Sequence, residues 1–173
     1  TARYWGARAA REPVAGEPAG QELRGCRFIR SEYYRQALAL EAIRALLGNF
    51  AAHRVAGETR ELDFSPWGGA YNRQTPDATA FAHREERFIL KHAGEVAPGA
   101  GTEKREAAQA WTRRSWNTVH PWASGRVFPN FPDPDLPDWP HAYYGGNLAR
   151  LLHVKARYDP DGLFRFRQSL PVT

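Results

Sequence analysis

Apolar residues keep helical spacing in one early stretch and alternate with polar ones in several others. Leu38, Ala42 and Leu46, with Ala39, Ile43 and Leu47, recur every three to four residues and predict a helix that Gly48-Asn49 ends. Cys26–Arg30 reads as a short strand, with Ser31 and Glu32 opening a turn. Arg60–Phe64 alternates, and Trp67–Ala70, Thr79–His83 and Arg87–His92 read as further strands. Residues 94–101 read as a Gly/Pro/Ala loop. Thr102 is placed to cap a helix over 103–117, with Ala107, Ala110, Trp111 and Arg114 on one face. Residues 120–140 carry six prolines and predict a long loop, a length more often functional than idle. A last helix is expected over 145–158, with Leu148, Leu151 and Leu152 in the core and Asp159-Pro160 as its stop. This order predicts an α+β fold, an antiparallel sheet with helices packed on one face. Three segments follow from it: a linker over 1–24, an α+β substrate-binding domain over 25–126, and a C-terminal segment over 127–173.

Composition narrows the function. With 173 residues and 42% hydrophobic content the chain can bury a core. Six Trp, seven Tyr and nine Phe suit a ring-lined site. The net charge of +5 is spread among acids, as in Arg84-Glu85-Glu86-Arg87, which reads as a solvated surface and not a nucleic-acid face. No apolar run approaches the roughly 18 residues of a membrane span, and no signal peptide is visible. Cys26 is alone, so the compartment stays open. There is no methionine, so processing or a fragment is expected. The histidines have no metal-ligand spacing, and no nucleotide loop or hydrolase elbow appears.

Four blocks then carry a resemblance. They are Arg27-Phe28 to Tyr34, Trp67–Ala70 with Thr79–Arg84, Phe128-Pro129-Asn130-Phe131 with Asp133, Asp135 and Leu136, and the run Tyr143-Tyr144-Gly145-Gly146-Asn147 to Asp159-Pro160 and Gln168-Ser169-Leu170-Pro171. Over residues 27–172 the chain resembles the substrate domain and C-terminal segment of the berberine bridge enzyme-like family of flavin oxidases. Phe128 stands where the family often has Tyr, and Gly162 where Asn is usual.

The resemblance implies FAD as cofactor, an FAD-binding domain upstream or separate as partner, a small-molecule substrate and dioxygen, with neither nucleic acid nor membrane. It implies oxidation of an alcohol, sugar or secondary-metabolite C–H. The C-terminal helix would return to the flavin domain. Tyr143, with Tyr144, would take the proton. Asn147 would bond the flavin edge or cap the last helix, Gly145 and Gly146 would let the backbone approach the cofactor, and Asn130 would join them. Phe128 and Trp67 would line the substrate side. The alternative is a non-catalytic remnant or standalone binding domain.

Overall fold

The structure, a computed structural model, describes residues 25–172, so the expected linker over 1–24 lies outside the described residues. Three nine-residue strands form the sheet: β1 Cys26–Tyr34, β2 Glu58–Pro66 and β3 Phe88–Val96. The spatial order is β1-β3-β2, and both pairings are antiparallel. Helix α1 (Leu40–Ala51) links β1 to β2, and α2 (Thr102–Val119) follows β3. A short α3 (Trp139–Tyr144) and α4 (Leu148–Tyr158) complete the described elements, joined by a 3₁₀ turn over Gly145–Asn147.

Register assigns the two faces. Ser31, Lys91 and Asp63 lie opposite one another across the sheet, as do Tyr33, Ile89 and Ser65. Neighbours in sequence point the other way. Tyr34 and Leu90 therefore meet α1 and α2, in a core with Ala42, Leu46 and Val119. His92 Nδ1 lies 2.8 Å from Ser115 Oγ of α2. Both helices thus pack on one face, as the order of elements predicts. Lys91, Asp63 and Glu61 lie on the opposite, helix-free face.

The end of α1 is set by tertiary structure. The helix runs through Gly48 to Ala51, beyond the expected stop. Arg60 of β2 then donates to the carbonyls of Asn49, Phe50, Ala52 and His53 at 2.6–3.3 Å. A cation on the last carbonyls satisfies acceptors that a helix end leaves open. Glu58 holds Arg60 at 2.9 Å, so the buried charge is paired.

Several expected elements differ. Ser31 and Glu32 continue β1, because β3 pairs with it as far as Tyr34. Gly94–Val96 belong to β3 and not to a loop. Trp67–Ala70 is not a strand: Gly69–Arg73 is a 3₁₀ turn that lets Trp67 stack on Tyr71 at 5.1 Å. Thr79–His83 is irregular, and its Thr79 oxygens meet side chains, Asn147 and Arg84, instead of a neighbouring strand. Thr102 starts α2, but Gly101 is the N-cap and no side chain caps the helix. The inward face of α2 is Ala108, Trp111, Thr112, Ser115, Trp116 and Val119, while Ala110 and Arg114 are exposed. Ile43 and Leu47 also point outward from α1. The last helix is broken in two, and the leucines of α4 are half-buried.

Candidate functional site

The segment after α2 wraps the outer edge of β1. Tyr33 N–H donates to Arg126 O at 2.8 Å, and Ser124 N–H to Tyr33 O at 2.9 Å. Val127 N–H then bonds Ala142 O of α3. These bonds place Phe128 beside the helix-free face. There Tyr33, Trp67, Phe81 and Phe128 assemble into an aromatic wall. Trp67 lies 5.1 Å from Tyr33 and 5.4 Å from Phe128, both edge to face, the geometry ring quadrupoles favour. Phe131 extends the wall, 5.4 Å from Phe128. The structure thus brings together the two expected substrate-side residues, Trp67 and Phe128, from positions 61 apart in the chain.

Next to this wall stands a charged group that sequence reasoning missed. Lys91 Nζ donates to Asp63 Oδ2 at 2.7 Å and lies 3.1 Å from Glu61 Oε1. Its ammonium is 5.6 Å from the Phe131 ring centroid. The hydrogen bond from Lys91 holds the Asp63 carboxyl below its ordinary value. The Asp63 and Glu61 side chains stay accessible, at 39% and 36%. Alternation in Arg60–Phe64 pointed to a strand, but the partner strand that supplies Lys91 lies 28 residues away.

Tyr143 is tied into the fold through its hydroxyl. It is 3% exposed. Its hydroxyl accepts the Asp133 N–H at 2.9 Å and donates to Gln168 Oε1 at 3.3 Å. Burial pushes its pKa up. A proton-accepting tyrosinate needs the reverse, a pKa drawn down toward neutrality. In this chain the Tyr143 hydroxyl ties the 133 segment to the C-terminal tail, and its expected part as catalytic base is a matter for the flavin-bound protein. Tyr144, its neighbour, is half-buried, and burial raises its pKa too.

Asn147 is 8% exposed and occupies the N-cap position of α4, but its side chain makes no capping bond there. Its Nδ2 donates to Pro76 O at 2.7 Å and to Thr79 O at 3.0 Å. Both amide hydrogens are taken up, which leaves the side-chain carbonyl for any further contact. Gly145 has φ +53°, and a Cβ there would stand 3.3 Å from Arg126 Nη1 and 3.5 Å from Ala82 Cβ. Gly146 faces open space, with nothing within 4 Å of such a Cβ. Asn130 is exposed. The Gly146 backbone is thus free for a flat ligand to approach, while the donors of Asn147 are not. Among the described residues no His/Cys/Asp/Glu group could hold a metal ion, and no helix is long and apolar enough to cross a membrane.

The three-stranded antiparallel sheet with both helices on one face is the α+β layout expected of a flavoenzyme substrate domain, and comparison with known proteins agrees with that fold. Residues 127–171 match the family model described as berberine and berberine like. An uncharacterized FAD-linked oxidoreductase of Bacillus subtilis, YvdP, is 35% identical over 117 residues, 68% of this chain and 25% of that protein. Berberine bridge enzyme-like 12 of Arabidopsis thaliana is 28% identical over 159 residues, covering 83% of this chain and 29% of that one. The solved structure of Physcomitrella patens BBE-like 1 superposes with a TM-score of 0.72 at 26% identity, over 86% of this chain and 31% of the other. In sequence and in fold, the chain is similar to the berberine bridge enzyme-like FAD-linked oxidoreductases. It spans about a quarter of the length of the curated relatives it matches.

Proposed function

We propose that this chain is the substrate-binding and C-terminal portion of an FAD-dependent oxidoreductase. In this reading a small molecule bearing an oxidisable alcohol or C–H lies on the helix-free sheet face, against Trp67, Phe128 and Phe131. The observation that carries the reading is the aromatic wall standing beside the Lys91–Asp63–Glu61 group. Rings exclude water and position a flat or cyclic substrate, while the charged group orients its polar substituents.

FAD, when bound by the partner domain, supplies the two-electron acceptor, and dioxygen is the proposed final acceptor. The residues present fit that arrangement at Gly146, whose backbone is open, and do not fit it through the donors of Asn147. The proton released from substrate is proposed to pass to the Tyr143–Tyr144 pair once a phenol of the pair is ionised in the flavin-bound protein; in this chain alone burial raises the pKa of both hydroxyls. Lys91 does not take it: the bonds to Asp63 and Glu61 oppose its desolvation, and its pKa lies above the ordinary lysine value. The exposed Leu163, Phe164 and Phe166, beyond α4, are the surface proposed to meet the FAD-binding domain.

The test is to express the continuous reading frame that contains this chain, load it with FAD, and follow anaerobic flavin bleaching by candidate alcohols and sugars. Trp67→Ala and Phe128→Ala should raise KM or slow bleaching at least tenfold, with FAD still bound. Unchanged kinetics in both variants would move the substrate site elsewhere. A protein that takes up no FAD would support the binding-domain alternative.

A further inference from the structure

Glu32 and Tyr33 are adjacent on β1 and point to opposite faces of the sheet. Tyr33 stands in the aromatic wall. Glu32 lies on the other side, 1% exposed, with its carboxyl oxygens 2.9 and 3.0 Å from His120 Nδ1. The Gly125 backbone amide bonds the same carboxyl. One residue before and one after, Ser124 and Arg126 are hydrogen-bonded to the Tyr33 backbone. Residues 120–126 are thus fastened to β1 along its backbone edge and, through Glu32, from its helix-bearing face, and Phe128 lies two residues further on. His120 also stacks on Trp116 at 4.2 Å, and the Arg30 guanidinium lies over that same ring.

We propose that Glu32 and His120 form a positioning pair which, through residues 123–127, sets where Phe128 stands in the aromatic wall, and that this position follows the charge of the Glu32 carboxyl. The proposal rests on the reading above only in taking the wall as the substrate side.

Burial raises the Glu32 carboxyl from its ordinary value to about 7, against the pull of His120 and Arg30. It therefore changes charge near neutrality, where few carboxyls do. Arg30 and Tyr34 share its strand and face, and His92 of β3 is on that face too. The cleft of about 660 Å³ that Glu32 lines also holds Arg113, Arg126, Asp135 and the Asp138–His141 pair. Arg30 is held by Asp133 at 2.6 Å. Loss of the Glu32 charge weakens its hold on His120 and on the Gly125 amide together. The segment that ends in Phe128 is then held by the Tyr33 backbone bonds without that carboxylate. His83 also touches the wall, but burial lowers its pKa to about 4, well separated from this change.

The experiment is ¹⁹F NMR of the chain labelled with 5-fluorotryptophan, from pH 5.5 to 9, with resonances assigned by Trp67→Phe and Trp116→Phe. No flavin is needed, so its outcome is independent of whether the oxidoreductase reading holds. Trp116, beside His120, and Trp67, in the wall, should move with one shared midpoint near 7. Glu32→Gln should abolish both inflections, and His141→Gln should leave both in place. His120→Gln removes a partner that favours the ionised carboxyl, so the shared midpoint should rise by at least about half a unit. A flat Trp67 resonance, a Trp67 inflection that survives Glu32→Gln, or a midpoint unmoved by His120→Gln would overturn the proposal.

Discussion

The Tyr143 hydroxyl accepts the backbone N–H of Asp133 at 2.9 Å. Asp133 is the point where three parts of the molecule meet. Its Oδ2 accepts from Arg30 of β1, its carbonyl accepts from Gln168 Nε2 at 2.7 Å, and its Oδ1 accepts the Asp135 N–H. A residue chosen from sequence as a base thus closes a structural junction between strand, α3 and C-terminal tail.

Tyr143→Phe should therefore act first on stability. It leaves the Asp133 N–H buried without an acceptor, a loss of about 1–3 kcal/mol. Urea unfolding of the chain measures this without flavin. A variant as stable as the parent would show that the hydroxyl is dispensable to the fold.

Asn147→Ala should release residues 76–79. Two hydrogen bonds to backbone carbonyls are lost, about 1–2 kcal/mol together. Hydrogen exchange in residues 75–80 should accelerate while the β3 amides stay protected. Equal acceleration in both would mean that Asn147 supports the whole fold instead of one loop.

Gly94→Ala should be severe. A Cβ there would stand 2.9 Å from the Ala108 carbonyl and 2.9 Å from Thr112 Oγ1, so α2 would have to back away from β3. Overpacking of this kind costs about 1–3 kcal/mol or more. Gly99→Ala meets no atom within 4 Å but has φ +75°, so its cost is conformational strain alone. Thermal unfolding of the two variants separates close packing from backbone strain.

Stability should respond to pH from two directions. Burial lowers the His92 pKa from 6.5 to about 3, so its stabilising contribution is present above 6.5 and lost as pH falls toward 3. Glu32 runs the other way. Its raised pKa gives a contribution present below 4.5 and lost as pH rises through about 7. Glu32→Gln should therefore gain stability relative to the parent above pH 7, by up to about 3 kcal/mol. Denaturant midpoints at pH 5 and pH 9 read the difference; a gap between variant and parent that is the same at both pH values would remove Glu32 as its source.

Much of this protein was legible in its sequence, for reasons that are local. Spacing of Ala42 and Leu46 gave a helix because helical periodicity places them on one face, and alternation in Arg60–Phe64 gave a strand. The ordered run from Tyr143 to Pro171 carried the family resemblance, and Asp159-Pro160 stopped α4 because the residue before proline avoids helical backbone. Tertiary structure decided what depends on distant partners. Ser115 is fixed in the core by His92, Lys91 gains its role from Asp63 and Phe131, and Arg60 ends a helix in which it does not lie. Tyr143 and Asn147 were found by pattern. The hydrogen bonds that occupy them come from Asp133, Pro76 and Thr79, contacts that only the folded chain creates.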